Sequence, residues 1–308
     1  MMKKIFWFLM LAVGFVFTAC SDDSEVVYDA DSAVSNYEPV LGSRKVASLH
    51  TTNVLDGREY SWKHNFTYDK HGRIKEVNSE ILHHHLYSQS PTGQQHFRLC
   101  NITSNAKYYY NGEHLQIAYT ESWQFPDFPA WNKSESHVDA GVLNDYGYIE
   151  NYSVSQGVGF ECEYNLASLK SVAFEGGYLF DILRDARGNV NGHKFTGYDR
   201  HGDDSISVKQ GRYAYTGYRN KTNFDFSAYL GYWENERYIN ALSSWPYATY
   251  QLAAFGFFGS GSENLPLCQA PVPEGWSASS SWVLDSEGFP VKYTDPDGRE
   301  TKITYVEE

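Results

Sequence analysis

Positive charge is scarce in this chain. Its 308 residues include 25 Lys or Arg against 38 Asp or Glu, a formal charge of −13. No basic stripe offsets that balance, which argues against nucleic acid and anionic headgroups as partners. Catalytic signatures are missing as well. There is no nucleophile elbow, Gly-rich phosphate loop, zinc-protease helix motif or calcium loop, because Asp295-Pro296-Asp297-Gly298 lacks the further ligands such a loop needs. No cofactor motif is present either. Cysteine is limited to four residues. After Cys20, the set Cys100, Cys162 and Cys268 leaves one thiol over if two pair, and buried free thiols account for them equally well.

What is abundant is aromatic: 17% of the chain, with 25 Tyr. Such residues suit pleated, half-buried strands. In Phe66–Val77, Phe66 and Tyr68 alternate with polar neighbours, then Asp69-x-x-Gly72 leads into a second alternating run. Asp at the first position of a type I turn accepts backbone N–H bonds, and Gly at the fourth takes the left-handed conformation that closes a bulged hairpin. The phrase returns at Asn144/Gly147, Asp185/Gly188, Asp199/Gly202, Asp285/Gly288 and Asp295/Gly298, and Asp56-Gly57 and Asn111-Gly112 add two tighter turns.

The pattern predicts strands at Lys45–His50, Glu59–Tyr68, Ile74–Leu86, His96–Tyr110 and Leu115–Trp123, then an aromatic loop over Gln124–Ser136. Short strands follow through Tyr218, and Asn223–Leu230 still alternates. Short helices are predicted at Glu234–Ser244 and Tyr247–Phe258, and three strands close the chain: Trp282–Leu284, Pro290–Thr294 and Thr301–Val306. The fold class is mainly β: an antiparallel meander of short hairpins forming a curled sheet or an open or closed barrel, with one or two short helices near 234–258. No linker divides Lys45–Glu308, so residues 45–308 read as a single β domain.

Lys3, Lys4, the apolar stretch Ile5–Phe17 and the small residues Thr18-Ala19 have the layout of a signal peptide over residues 1–19. Its apolar core falls short of the roughly 20 residues a spanning helix needs. The phrase FTAC-S resembles the lipobox of bacterial lipoproteins, which implies cleavage before Cys20 and acylation of that residue. Asp22, Asp23 and Glu25 resemble the acidic tag of surface-exported Bacteroidota lipoproteins, so residues 20–44 read as a lipidated acidic tether.

YDKHGRIKEV, YRNKTNFDF, FGFFGSGSENLP and DSEGFPVKYTDPDGRETKITY resemble a family of Bacteroidota lipoproteins, a domain of unknown function with a porin-like fold. The resemblance covers most of Lys45–Tyr305 and is loose across Trp123–Asn144. It implies a barrel-like β fold at the outer membrane, facing the cell surface or the periplasm, and it assigns no catalytic residues. About six residues separate the last two Asp-x-x-Gly turns, a globular strand length. A soluble barrel held by lipid is therefore expected over a membrane-spanning one.

Two clusters are candidate sites. Trp123, Phe125, Phe128 and Trp131 lie on a loop stiffened by Pro126 and Pro129, fit for stacking on sugar rings, for gripping a hydrophobic ligand, or for plugging the barrel. His83 and His85 share a strand face and could hold a metal, with a third ligand from His50, His64 or His96. The reading favours a non-enzymatic binding or accessory protein for a glycan or small hydrophobic ligand. A polysaccharide hydrolase and a purely structural envelope protein are the alternatives.

Overall fold

A computed structural model describes residues 44–89, 95–155, 159–165, 168–175, 178–198, 204–210, 214–226, 228–230, 247–259, 262–267 and 280–307. The signal peptide, Cys20 and its tether, Cys268, the helix expected at Glu234–Ser244 and the Asp199/Gly202 turn lie outside these residues. The strands are β1 (Val46–Leu55), β2 (Arg58–Tyr68), β3 (Ile74–Gln89), β4 (Gln95–Asn111), β5 (His114–Gln124), β6 (Lys133–Leu143), β7 (Ile149–Ser153), β8 (Phe160–Asn165), β9 (Ser168–Phe174), β10 (Tyr178–Arg184), β11 (Val190–Tyr198), β12 (Asp204–Gln210), β13 (Tyr215–Arg219), β14 (Asn264–Pro266), β15 (Ser281–Leu284), β16 (Pro290–Thr294) and β17 (Glu300–Tyr305); helix α1 is Tyr247–Ala254.

Among the described residues, fifteen strands make one antiparallel sheet. β1 to β12 follow in chain order, and β17, β16 and β15 continue beyond β1. β12 and β15 are its edges, so the predicted curled meander forms and stays open. β13 and β14 pair separately.

The turns impose this order locally. Asp69 Oδ1 accepts the N–H groups of His71 and Arg73, both at 2.9 Å. The backbone closes with Gly72 N–H to Asp69 O at 3.0 Å, and Gly72 has φ 80°. Asn144, Asp185, Asp285 and Asp295 repeat the same double acceptance two and four residues ahead. Each is a type I turn with a glycine bulge, as the spacing predicts.

Register shows that most of these turns share one end of the sheet with the start of β1. Asp295–Gly298 and Asp56–Gly57 lie at the other. Tyrosines tie the first end together: the hydroxyls of Tyr68, Tyr110, Tyr164, Tyr215 and Tyr305 donate to the carbonyls of Val46, Ile74, Ile149, Val190 and Pro290, each the first residue of a strand.

Along β2, Tyr60, Trp62, His64 and Phe66 are buried on the concave face, whereas Glu59 and Thr67 are exposed on the other. β5 likewise buries Leu115, Ile117 and Tyr119 and exposes Gln116 and Thr120. A membrane-spanning barrel carries its apolar side outward, and a Lys at the bilayer midplane costs about 2–4 kcal/mol. Here Lys63 and Lys107 sit on the outward side. Strand length does not make that distinction, because β3 and β4 reach 16 and 17 residues, well beyond the six read from the last hairpin.

The concave face is covered from within. α1 is capped by Gly256, whose N–H bonds Ala253 O at 3.1 Å while Phe257 N–H bonds Leu252 O at 2.9 Å, a Schellman cap. That cap stops the helix short of the expected Phe258 and turns the chain into the curl. Phe255 meets Phe66 edge-on at 4.9 Å, Phe257 stacks on Tyr108 at 5.2 Å, and Phe258 packs on Phe160 at 5.6 Å. Asn223–Leu230 is not the alternating strand expected. Residues 226 and 228–230 are helical, with Asp225 Oδ1 accepting Ala228 N–H at 3.1 Å as a cap. Phe226, Tyr229 and Leu230 follow the helical spacing and are buried.

Two outcomes follow. Gly256 has φ 87°, and a Cβ there would lie 2.2 Å from Asn223 O. Gly256→Ala is expected to destabilise by roughly 2–5 kcal/mol in chemical denaturation, from left-handed strain plus overpacking. Gly298→Asn, with nothing within 4 Å, should cost far less. The second outcome concerns His64, which is buried against Ser79 Oγ at 2.8 Å. Burial lowers its pKa from 6.5 to about 4. It stays neutral when folded but protonates readily when unfolded, so its contribution is present above pH 6.5 and lost as pH falls toward 4. Denaturation midpoints should drop over that window by up to about 3 kcal/mol in free energy. An equal drop in His64→Gln would show that another group is responsible.

Candidate binding site at the mouth of the sheet

At the end of the sheet opposite the start of β1, β5 and β6 stand side by side in strict register. Ile117 faces Asp139, Tyr119 faces His137, Glu121 faces Glu135, and Trp123 faces Lys133. Period-2 geometry puts all of them on the concave face. Lys133 and Glu135 are exposed, Glu121 and Trp123 are half-buried, and Asp139 is fully buried. The wall is therefore wet at the rim and closed at its base.

Asp139 accepts from Tyr152 Oη at 2.9 Å and from the Ser155 N–H at 2.9 Å. His137 stacks on Tyr119 at 4.8 Å and holds Nε2 3.8 Å from the Asp139 carboxylate. Burial pushes the Glu121 carboxyl above its usual range. The Trp123 indole and Lys133 pull it back, and Glu135 adds a smaller upward push. The Trp123 indole N–H points toward Glu121 without closing a hydrogen bond.

The aromatic loop joins β5 to β6 and spans only residues 125–132. β6 begins at Lys133, so the expected loop end at Ser136 is too late. The pairing of Ser134, Glu135 and Ser136 with β5 makes strand of what reads as polar loop. Its backbone is locked: Phe125 N–H bonds Asn132 Oδ1 at 2.8 Å, and Pro129–Trp131 form a 3-10 turn. Phe125 is buried with Tyr60, Trp62, Ile81, Cys100 and Ile102, with Trp123 packed against them. Phe128 and Trp131 remain 39% and 44% exposed. The Arg98 guanidinium lies 3.2 Å from the Phe128 ring centroid and 3.9 Å from that of Trp131, and Lys133 Nζ sits 4.5 Å over Trp123. Part of the loop plugs the sheet and part of it forms a rim.

The candidate third ligands scatter. His83 pairs with Cys100 beside Tyr60, and the His85 backbone pairs with Arg98. His50 bonds Ser61 at 3.0 Å on the outer face, His64 is deep in the core, and His96 pairs with Ser88 near the rim. Among the described residues no three His, Cys, Asp or Glu side chains gather as a metal-binding group. Cys100 and Cys162 are buried free thiols. Sequence reading missed the acidic wall, although Glu135, His137 and Asp139 recur with the period of a strand face.

No family model matches the chain, and no curated protein matches it. Among solved structures it is similar to a porin-like protein from Bacteroides uniformis, at 12% identity over 85% of this chain and 98% of that one, with a TM-score of 0.49. A likeness so distant assigns no ligand or activity.

Arg98→Ala should loosen the rim. Losing two cation–π contacts costs about 1–2 kcal/mol, and faster hydrogen exchange is expected at Phe128–Asn132. Unchanged exchange there would show that Arg98 does not hold the loop.

Proposed function

We propose that this chain is an exported, lipid-anchored envelope protein that binds a glycan or small hydrophobic ligand at its mouth without turning it over. The observation that carries this reading is the rim itself: Phe128 and Trp131 stay exposed on a rigid loop above the half-buried Trp123 and Glu121. Rigid aromatic faces give large contact at low entropy cost. The export layout of residues 1–19 and the lipobox resemblance at Cys20 support the envelope address.

The expected result is binding of at least one member of a glycan and small-hydrophobe panel to the purified full-length protein, weakened about tenfold or more by Trp131→Ala. Binding that ignores both Trp123→Ala and Trp131→Ala would remove the mouth from consideration. One observation favours a second reading. Glu121 and Glu135 face each other, and paired carboxylates are what glycoside hydrolysis requires. A hydrolase would release reducing ends from the bound glycan, and Glu121→Gln would abolish that release.

A further inference from the structure

The outer face of the sheet carries charge of the scarce sign, and the pairing register gathers it. Lys292 on β16 faces Lys302 on β17, Lys302 faces His50 on β1, and His50 faces Lys63 on β2. Four adjacent strands thus hold basic side chains in one row, at steps of about 4.8 Å. The residues on either side of them in the chain, such as Leu49, Trp62, Tyr293 and Ile303, are buried on the concave side. Like charges placed directly opposite destabilise a sheet. Lys292 has an answer in Glu300, with which it forms an ion pair, and Glu80 faces Lys63 from β3 and ends the row. Among the described residues, Lys63 and Lys302, on either side of His50, form no ion pair. His50 Nε2 lies 3.0 Å from Ser61 Oγ. Burial lowers the His50 pKa, Lys63 and Lys302 lower it further, and Glu80 opposes them with a smaller pull.

The next row on the same face is neutral. Thr304, Ser48, Asn65, Asn78, Asn105 and Thr120 face one another in turn from β17 to β5. The hydroxyls of Ser48 and Thr304 lie 2.7 Å apart, and Asn105 Nδ2 donates to Asn78 Oδ1 at 2.7 Å. Hydroxyls and amides both donate and accept, which is what sugar hydroxyls require. Neither row carries Phe, Tyr or Trp, so a nucleobase would find nothing to stack on. A lone inorganic anion would use the cations and leave the neutral row idle. We propose that this outer face is a second binding site, for an acidic polysaccharide, with a sugar carboxylate seated over His50 between Lys63 and Lys302 and the neighbouring sugar hydroxyls on Ser48, Asn65 and Asn78. The carboxylate relieves the repulsion around His50 and favours its charged form. This face lies on the other side of the sheet from the aromatic rim, so the two sites neither share residues nor compete.

The test titrates a galacturonate tetramer and its fully methyl-esterified, uncharged counterpart into the purified full-length protein by calorimetry. Tripolyphosphate serves as an anion without sugar rings. The acid tetramer should bind about tenfold or more tighter than the ester. Lys63→Gln and Lys302→Gln should each weaken it about two- to fivefold. Lys107→Gln, two rows away on the same face, and Trp131→Ala should leave it unchanged. Binding should tighten from about pH 7.5 to about pH 5.5 as His50 gains its proton, and His50→Gln should remove that dependence. The imidazole resonances of His50 should titrate at higher pH when the tetramer is bound. These side chains point outward, so the variants are expected to fold, and unchanged circular dichroism checks this. Equal binding of acid and ester overturns the charge argument. Tripolyphosphate binding as tightly as the acid tetramer overturns the sugar assignment. No binding of the acid tetramer, or binding indifferent to both lysines, overturns the site, and the mouth reading is then judged separately through Trp131.

Discussion

A sheet that curls without closing has a concave apolar face and no second layer to cover it. Burying that face is the constraint on which the rest of the structure depends. The chain meets it with its own α1 segment. The Schellman cap at Gly256 reverses the backbone so that Phe255, Phe257 and Phe258 enter the curl on successive sides. Main-chain bonds fix the insert on two sides: Ile149 N–H to Phe257 O at 2.8 Å joins it to β7, and Asp225 N–H to Ala254 O at 3.0 Å joins it to the helical turn beside it. The interior at this level is packed with aromatic rings from both the insert and the sheet.

The two ends of the sheet then differ in kind. At the end where β1 starts, acidic and amide side chains pin the turns, and tyrosine hydroxyls clip the starts of five strands. Arg73 over Tyr110 at 4.1 Å and Arg44 over Tyr305 at 4.6 Å add further ties. At the far end the concave face of β5 and β6 turns polar, with Glu121 half-buried and Lys133 and Glu135 exposed. Rigidity at one end and a charged wall at the other is the division expected when a scaffold presents a site.

The turns were legible in the chain because their chemistry is local. An Asp or Asn and a Gly three residues on carry the whole instruction, and Asp69, Asn144, Asp185, Asp285 and Asp295 all obey it. The aromatic loop was legible for the same reason, through Pro126 and Pro129. The misreadings arose where distant partners decide. Phe226, Tyr229 and Leu230 carry a helical period, but three apolar residues also fit a strand, and the Asp225 cap decides between them. Lys133–Ser136 has the composition of a loop and becomes strand only because β5 lies alongside. The opposition of Glu121 and Glu135 was invisible for a related reason. It is a property of register across a loop of eight residues, which neither glutamate encodes alone.

The position of Arg44 has a consequence for presentation. The chain enters the sheet beside Asp285, bonding it at 2.6 Å, at the clipped end rather than the open one. β5 alone, with 11 residues, covers about 35 Å from one end toward the other. The strands therefore separate the chain's entry, beside the tyrosine clips, from Trp131 at the opposite end, so under the proposed amino-terminal lipid anchor the entry end and the aromatic rim would be a strand's length apart.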